Sequence, residues 1–547
     1  MRIVVIGAVA AGTSAATKAR RNDDEAEIVI YERDQDISYS GCGLPYYLGG
    51  EIEDIEELTP RDPAFFRKKY DIIIKTGHEV VSLSPERKTL LVKELSTGTQ
   101  FEDHYDKLVI ATGATPFVPP IEGVSKGHVF SLRSVQDARA IRHFIESRKP
   151  QKALIAGTGF IGLEVLENFI HRGMAVTIVE QNQQITPNLD ADMAAFLQNL
   201  LCQRGAQVLT GRRIETIEDS FALISDGEKI EADLVIMATG VRPNVSLAKA
   251  AGVTMGATGA ILVDDMMQTN LPDIYSCGDC IETYSAITGK GVYRPLGSTA
   301  NKTGRIAGDA LTGGPLRYQG NLGTGIFKLF DLAVASTGLS EREALKEGYD
   351  IEVAHLIKPD KPSYFHGEDM AIKAVADRAT KRLLGVQIIG TQGVDKRIDV
   401  FATLITYKAT VDALFHLDLA YAPPFSTTKD PVHYTGMVLE NAMERGRRLI
   451  TAEQVNARKD SLQIVDARSS SDFESKGCVN CAVNIPHEEL REKLSSLDPN
   501  KATVTYCNKG VTGNAAQNIL LGRGFREVYN LSGGHQFFKG SARLKEK

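Results

Sequence analysis

The sequence predicts an α/β protein: two doubly wound lobes, then an α+β domain and a small α/β domain towards the C-terminus. Three observations carry that prediction. A strand, glycine-rich turn, helix and second strand run through "RIVVIGAVAAGTSAATKARR" and "EIVIYERD", and the same order returns in "KALIAGTGFIGLEVLENFIHRG" and "AVTIVEQN". A duplicated βαβ unit gives two parallel-sheet lobes of one design. Two apolar strands ending in ATG, "DKLVIATGATP" and "ADLVIMATGVRP", repeat with the same logic and bracket the second unit, so the first lobe is expected to resume near residue 241. From about residue 457 short strands again alternate with helices, after a stretch of strand-like runs and the helical "DKRIDVFATLITYKATVDALF".

Length and composition limit what the chain can be. At ~150 residues per domain, 547 residues make three or four domains. Hydrophobic residues at 43% and charged residues at 24% are those of a globular chain, and no apolar run approaches the ~18 residues that span a bilayer. No membrane partner is expected. A net charge of −6 leaves no electrostatic footprint for nucleic acid. The seven cysteines are scattered and odd in number, which suits free or catalytic thiols in a reducing compartment better than a disulfide framework. Because the strand at residues 3–6 runs straight into Gly7, no basic and apolar leader precedes it, and the reading is cytoplasmic.

In the second unit Gly157, Gly159 and Gly162 complete GxGxxG between a strand and a helix. Such glycines permit a tight turn, close backbone approach to a pyrophosphate and helix-to-strand packing, while the helix N-terminus favours the anion. Glu180 ends the next strand, where a carboxylate accepts from a ribose 2′-OH, so NADH is expected over NADPH. The first unit has Gly7 and Gly12 but Val9 at the middle position, with Glu32 at the end of its second strand. Further on, the apolar strand of "TNLPDIYSCGDC" ends at Gly278 and Asp279.

With two βαβ units, two ATG strands and this GD element in order, residues 1 to about 440 resemble the flavoprotein disulfide reductases. The resemblance implies two Rossmann-like dinucleotide-binding lobes, the first holding FAD with Asp279 on its ribityl chain and the second holding NADH or NADPH. It places Arg33 beside Glu32, and Thr112, Gly113 and Gly240 in the ATG strands, at the cofactors. The domains expected are FAD-binding at 1–112 and 241–320, NAD(P)H-binding at 113–240, α+β dimerisation at 321–440, a linker at 441–456 and the last α/β domain at 457–547.

The stretch "SYSGCGLPYYLGG" holds Cys42 where this family places its redox cysteine, but without the usual second cysteine a few residues away. A lone thiol must accept a sulfur atom or form a mixed disulfide with a small thiol. The single-cysteine NADH oxidases and peroxidases carry a histidine in the first glycine-rich loop, whereas "GAVAAG" has Ala10 and none. "CGLPYYLGG", "QGVDKRIDV" and "YAPPFS" instead resemble coenzyme A disulfide reductases. That resemblance implies a homodimer in which Tyr364 and Tyr421 reach the partner's active-site sulfur, where a phenol donates to a leaving thiolate. It also implies coenzyme A as ligand, with Ser38, Arg21 and Arg61 as contacts. Arg20 and Arg21 match that family's double arginine, Arg61, Arg67 and Lys68 are weaker matches, and Gly41 stands where many relatives have Asn.

"VDAR", "AVNIP", "TYCNKGVTGNAA" and "YNLSGG" resemble a rhodanese domain, with Cys507 between a strand and a helix. A loop of inward N–H groups with a helix dipole behind it stabilises a thiolate or persulfide. Thr512 stands where many members have arginine and Cys478 replaces a frequent histidine, so thiosulfate activity is expected to be weak. The CxxC pairs Cys277/Cys280 and Cys478/Cys481 overlap the GD element and a strand, and no metal is expected. The fusion resembles NADH-dependent persulfide and polysulfide reductases. It implies reduction of a small sulfur substrate, a coenzyme A persulfide, polysulfide or disulfide, at Cys42, with Cys507 handling sulfane sulfur. The alternatives are a coenzyme A disulfide reductase proper, an NADH oxidase or peroxidase, and a non-catalytic redox sensor.

Overall fold

The structure is a computed structural model, and it describes residues 1–542. They form two compact units, one of residues 1–181 with 209–321, the other of residues 182–208 with 322–542.

In the first unit, the runs "RIVVI" and "EIVIY" are apolar and rich in β-branched residues, and each is buried along nearly its whole length. Such runs suit the middle of a parallel sheet covered on both faces. The sheet has the order Ile274–Ser276, Lys107–Ile110, Arg2–Ile6, Glu27–Tyr31, Ile72–Lys75, all parallel. The strand at 274–276 therefore returns to the first lobe after the second is complete. Helix Ala10–Asn22 follows the first glycine-rich turn, and helix Gly297–Ala310 lies across it so closely that a Cβ on Gly304 or Gly308 would strike the backbone of Ala11 or Ala15. The second lobe repeats the plan with the parallel order Ala175–Glu180, Lys152–Ala156, Leu234–Met237, Val129–Phe130. Strands Ala114–Pro116 and Val241–Pro243 pair antiparallel just after the two ATG turns.

The second unit centres on an antiparallel sheet in the order Gly325–Leu329, Leu332–Gly338, Leu383–Gly390, Asp369–Asp377, Ile351–Pro359. Residues 182–208, expected within the second lobe, cluster with this sheet instead. Helix Ala191–Gln203 supplies the reason: Lys373, 1% exposed, holds Asp192 at 2.9 Å, Asp190 at 3.3 Å and Glu341 at 2.6 Å. A buried ammonium requires such carboxylates.

The last sheet is parallel, in the order Leu449–Ile450, Val528–Leu531, Thr503–Tyr506, Gln463–Asp466, Ala482–Asn484. The stretch 441–456 is not the plain linker its composition suggests. It carries instead the end of helix Pro431–Glu444, the edge strand at 449–450 and the start of helix Ala452–Arg458. Helix Gly534–Gly540 fixes this domain to the larger sheet, because Phe537 stacks on His355 at 4.4 Å and on Phe196 at 5.7 Å. Among the described residues no helix is long and apolar enough to cross a membrane.

Candidate active sites

Two cradles stand at the carboxyl ends of the first-unit sheets. In the second lobe Gly157 has φ +99°, and a Cβ on it would strike Ala238, while one on Gly162 would strike the Gly157 carbonyl. A Cβ on Gly159 would meet nothing within 4 Å. Two glycines thus close the turn and the third leaves space above it. Glu180 is buried and accepts from the Thr158 amide at 3.1 Å and its hydroxyl at 2.7 Å. The first lobe matches: Gly7 at φ +104° and Gly12 admit no side chain, and Glu32 accepts from the Ala8 amide at 2.7 Å and the Asp34 amide at 3.0 Å. Burial pushes the Glu32 carboxyl up, against the pull of those two amides. Arg33 is exposed, 3.9 Å from Asp34.

The ATG ends are braced together. Thr112 Oγ1 donates to the Asn244 carbonyl at 2.7 Å and the Asn244 amide donates to Gly113 at 2.9 Å. Gly113 and Gly240 both have positive φ and open space beside them. Gly278, at φ +83°, donates to Thr303 Oγ1 at 3.1 Å and abuts Ala11, which brings Asp279 to the N-terminal end of helix Ala10–Asn22. Glycine cradles, helix N-termini and terminal carboxylates fit two dinucleotides.

Asp279 forms an ion pair at 2.6 Å with Arg133, a residue that no motif marks in the sequence. Arg133 also acts on Cys42. That cysteine sits exposed in the 3-10 turn Gly41–Gly43, directly before helix Leu44–Gly49. Partial burial of the sulfur and then the Glu164 carboxylate push the thiol up, and Arg133 pulls it down. Glu164 lies on helix Phe160–His171 of the second lobe, and burial and Glu167 raise it to about 7. Tyr46, on the helix after Cys42, is raised to about 12 by burial and by Glu164. Glu164 follows the GxGxxG run by two positions, too weak a signal to mark it in the sequence. The turn is held from below, since Arg172 donates to the Leu48 carbonyl and Arg142 to the Tyr47 carbonyl at 2.7 Å.

The proposed coenzyme A contacts fall in three surroundings. Ser38 has φ +48°, its amide donating to Ala8 at 2.9 Å. Arg21 and Arg61 lie over the rings of Tyr70 and Phe65 at 5.9 and 5.8 Å. Arg20 is buried and donates to the carbonyls of Tyr70, Asp24 and Asp71, which explains it as a structural residue. Of the CxxC cysteines, Cys277 and Cys280 are buried and the Cys280 sulfur contacts the Cys277 and Ile110 carbonyls.

In the second unit Tyr364 and Tyr421 are 69% and 47% exposed. Tyr421 lines a cavity of about 450 Å³ together with Lys361, Gln392, Lys396 and Phe425. Beneath it Arg397 is buried against Asp430 at 2.8 Å.

Cys507 is 6% exposed, at the end of strand Thr503–Tyr506. Its loop leads through Gly510, at φ +90°, into helix Val511–Gly522. The Cys507 carbonyl accepts from the His535 amide at 2.8 Å, and Asn508 donates to Asp472 at 2.7 Å. Below the loop Arg468 and Asp466 form a fully buried pair, and Arg468 also touches His535 Nδ1 at 3.2 Å. Burial and Arg468 hold the His535 imidazolium down at about 4. The loop is backed by a helix N-terminus, an arrangement suited to an anionic sulfur.

Comparison with known proteins gives a consistent picture. The pyridine nucleotide-disulphide oxidoreductase model matches residues 1–300, its dimerisation domain residues 325–431, and the rhodanese-like domain residues 451–540. The chain is 38% identical over 449 residues to a CoA-dependent NAD(P)H sulfur oxidoreductase of Pyrococcus furiosus, covering 80% of this chain and 99% of that one. A reduced CoADR-RHD protein of Bacillus anthracis superposes with TM-score 0.96 at 34% identity, covering 99% and 98% of the two chains. An NAD-dependent persulfide reductase from A. fulgidus superposes with TM-score 0.93 at 38% identity, covering 98% and 100%.

Proposed function

The chain belongs to the pyridine nucleotide-disulphide oxidoreductases, and on that premise we propose that it uses NADH to reduce the sulfur–sulfur bond of a coenzyme A persulfide or a polysulfide. The observation that carries this is a lone exposed thiol, Cys42, on a chain that also has a rhodanese-like domain with Cys507 in a strand-to-helix loop. With no partner cysteine beside Cys42, the second sulfur arrives with the substrate.

FAD, held in the first lobe, would supply the two-electron relay between NADH and sulfur at Cys42. The Cys42 thiolate attacks the outer sulfur of the persulfide, forming one S–S bond and expelling the coenzyme A thiolate. Two electrons and a proton then release hydrogen sulfide and restore the Cys42 thiolate. In the net change a coenzyme A persulfide, NADH and a proton become coenzyme A, hydrogen sulfide and NAD+. A coenzyme A disulfide reacts by the same attack, through a mixed disulfide. Glu32 and Asp279 hold the FAD ribose and ribityl hydroxyls, Arg33 lies beside them, and Gly7, Gly12, Gly278, Thr112 and Gly113 shape that cradle. Gly157, Gly159, Gly162 and Gly240 do the same for NADH, which the Glu180 carboxylate favours over NADPH by repelling a 2′-phosphate.

Ser38, Arg21 and Arg61 receive the phosphates and pantetheine of coenzyme A, whose arm takes sulfane sulfur to or from Cys507. The protein works as a homodimer, in which Tyr364 and Tyr421 of each subunit donate protons to the thiolate leaving the other subunit's site. Their exposure and the dimerisation-domain match support this. A reducing, cytoplasmic setting suits the seven free cysteines.

Anaerobic NADH consumption with coenzyme A persulfide, polysulfide, coenzyme A disulfide or peroxide tests the reading in wild type, Cys42→Ser and Cys507→Ser. Turnover with the first two that vanishes in Cys42→Ser and falls in Cys507→Ser is expected. Full polysulfide turnover in Cys42→Ser would falsify it.

A further inference from the structure

The rhodanese-like domain carries two cysteines outside its core. Cys478 and Cys481, a CxxC pair, are both exposed and free, whereas Cys507 is 6% exposed. Free cysteine is among the most buried of residue types, and at the surface what it offers is reactivity, not packing. The backbone sets Cys481 apart as well. The Ala482 amide donates to the Val479 carbonyl at 3.0 Å, which closes a four-residue turn, and Cys481 is its third residue at φ +65°. Turns ordinarily give a left-handed place of this kind to glycine or asparagine. A cysteine is held there against its backbone preference, as residues at functional sites often are.

Both ends of the CxxC segment are fastened. Beyond Cys481 the chain enters the edge strand Ala482–Asn484, paired with Gln463–Asp466. Before it, Cys478 is tied on either side to the neighbours of Cys507. The Val479 amide donates to the Tyr506 hydroxyl at 3.2 Å. Arg468 donates to the Gly477 carbonyl at 2.7 Å, reaches Asn508 Oδ1 at 3.5 Å and touches His535 Nδ1 at 3.2 Å, while the His535 amide holds the Cys507 carbonyl at 2.8 Å. One side chain therefore separates the backbone flanking Cys478 from the backbone flanking Cys507. Two residues between the cysteines, with a turn across them, suit the short Cα separation that a disulfide requires. Among the described residues no group of three His, Cys, Asp or Glu side chains could hold a metal, which leaves the pair to thiol chemistry.

We propose that Cys478 and Cys481 are a redox pair that takes the sulfane sulfur from Cys507 and releases it as hydrogen sulfide. The inference rests on Cys507 as the sulfur carrier. A persulfide on Cys507 carries its outer sulfur one S–S bond, about 2 Å, beyond Sγ, so the acceptor need not reach the buried Sγ itself. The Cys478 thiolate attacks that outer sulfur, the S–S bond on Cys507 breaks, and Cys507 leaves as its thiolate. The Cys481 thiolate then attacks Cys478 Sγ, forming the Cys478–Cys481 disulfide and expelling hydrosulfide. Sulfane sulfur gains two electrons and the two thiols lose them: one persulfide and two thiols become one thiol, one hydrogen sulfide and one disulfide. Two molecules of a small thiol, coenzyme A, reopen that disulfide by exchange. The coenzyme A disulfide so formed is reduced with NADH at Cys42, which closes the cycle.

The test uses the full-length protein carrying Cys42→Ser, reduced and kept anaerobic without NADH or coenzyme A, so that no other route competes. After a brief load with inorganic polysulfide and desalting, the Cys507 and Cys478/Cys481 peptides are followed over time by mass spectrometry and released hydrogen sulfide is measured. Sulfur on Cys507 should decline as the Cys478–Cys481 disulfide appears, with one hydrogen sulfide for each disulfide. Adding Cys478→Ser or Cys481→Gly should leave sulfane sulfur on the protein at least about tenfold longer. Cys481→Gly should fold as stably as its parent, because glycine takes the left-handed φ freely, so its defect cannot be laid to misfolding. Sulfur that reaches Cys507 in both variants and leaves at the parent's rate overturns the pair's role alone. A load that puts no sulfur on Cys507 in Cys478→Ser overturns the carrier reading, and the proposal with it.

Discussion

The two glycines Gly159 and Gly162 occupy the same motif and should fail in different ways when changed to alanine. Gly162 is inside helix Phe160–His171, where alanine is intrinsically favoured by about 1 kcal/mol. Its Cβ, however, would overlap the Gly157 carbonyl oxygen and lie 3.2 Å from the carbonyl carbon. That backbone cannot rotate away, so the helix must withdraw by roughly 1 Å, at an overpacking cost of about 1–3 kcal/mol. Gly162→Ala should therefore lose up to about 2 kcal/mol of stability. The same withdrawal carries the first helical amides off the pyrophosphate, and a displacement of ~1 Å costs about a hundredfold in a positioned reaction. Gly159 is the N-cap at φ −69°, a conformation alanine adopts freely, with nothing within 4 Å of its Cβ. Gly159→Ala should keep or gain up to about 1 kcal/mol through the unfolded state. It should nevertheless bind NADH at least tenfold more weakly, because the methyl occupies the space left for the pyrophosphate backbone. Thermal unfolding and anaerobic flavin reduction at varied NADH separate the two. Wild-type NADH affinity in Gly159→Ala would show that the open side of this turn does not face the dinucleotide.

Other outcomes follow from charge. Glu164→Gln should let Cys42 label with iodoacetamide at lower pH, since the carboxylate that disfavours the thiolate is gone; below about pH 7, where Glu164 is already protonated, variant and wild type should converge. Arg133→Met leaves Asp279 without its partner and should lower flavin content in the purified protein while moving Cys42 labelling to higher pH. Arg397→Met removes the cation from a buried pair and should destabilise the second unit by about 3–5 kcal/mol, read by calorimetry. Asp430 links that pair to pH. Burial pushes its carboxyl up, but the Arg397 hydrogen bonds and charge, the Val432 amide and the Ser426 hydroxyl together outweigh burial and hold it below the usual carboxylate range. A group lowered on folding stabilises above its unfolded pKa, so this contribution is present at pH 7 and should be lost as acid takes the pH below ~4 and through the folded value. Arg397→Met should flatten that part of the acid-unfolding profile.

The βαβ duplication, the glycine cradles, the terminal acids Glu32 and Glu180 and the turn and loop that carry Cys42 and Cys507 were legible in the sequence. They depend on local rules: strand periodicity, positive φ and helix N-termini are set by neighbours a few residues apart. What could not be read there depends on long-range packing. Arg133 meets Asp279, and Glu164 acts on Cys42, only because the chain returns from one lobe to the other, and no spacing announces either contact. Residues 182–208 look like part of a nucleotide lobe, but the buried charge of Lys373 draws their helix to the antiparallel sheet. Leu449–Ile450 is too short to read as a strand, and becomes one by pairing with Asn530 and Leu531. The strand-to-helix loop of Cys507 could be read from its own residues. How the domain of that loop meets the antiparallel sheet was decided by the docking of His355, Ser532 and Phe537, contacts between residues that the sequence keeps far apart.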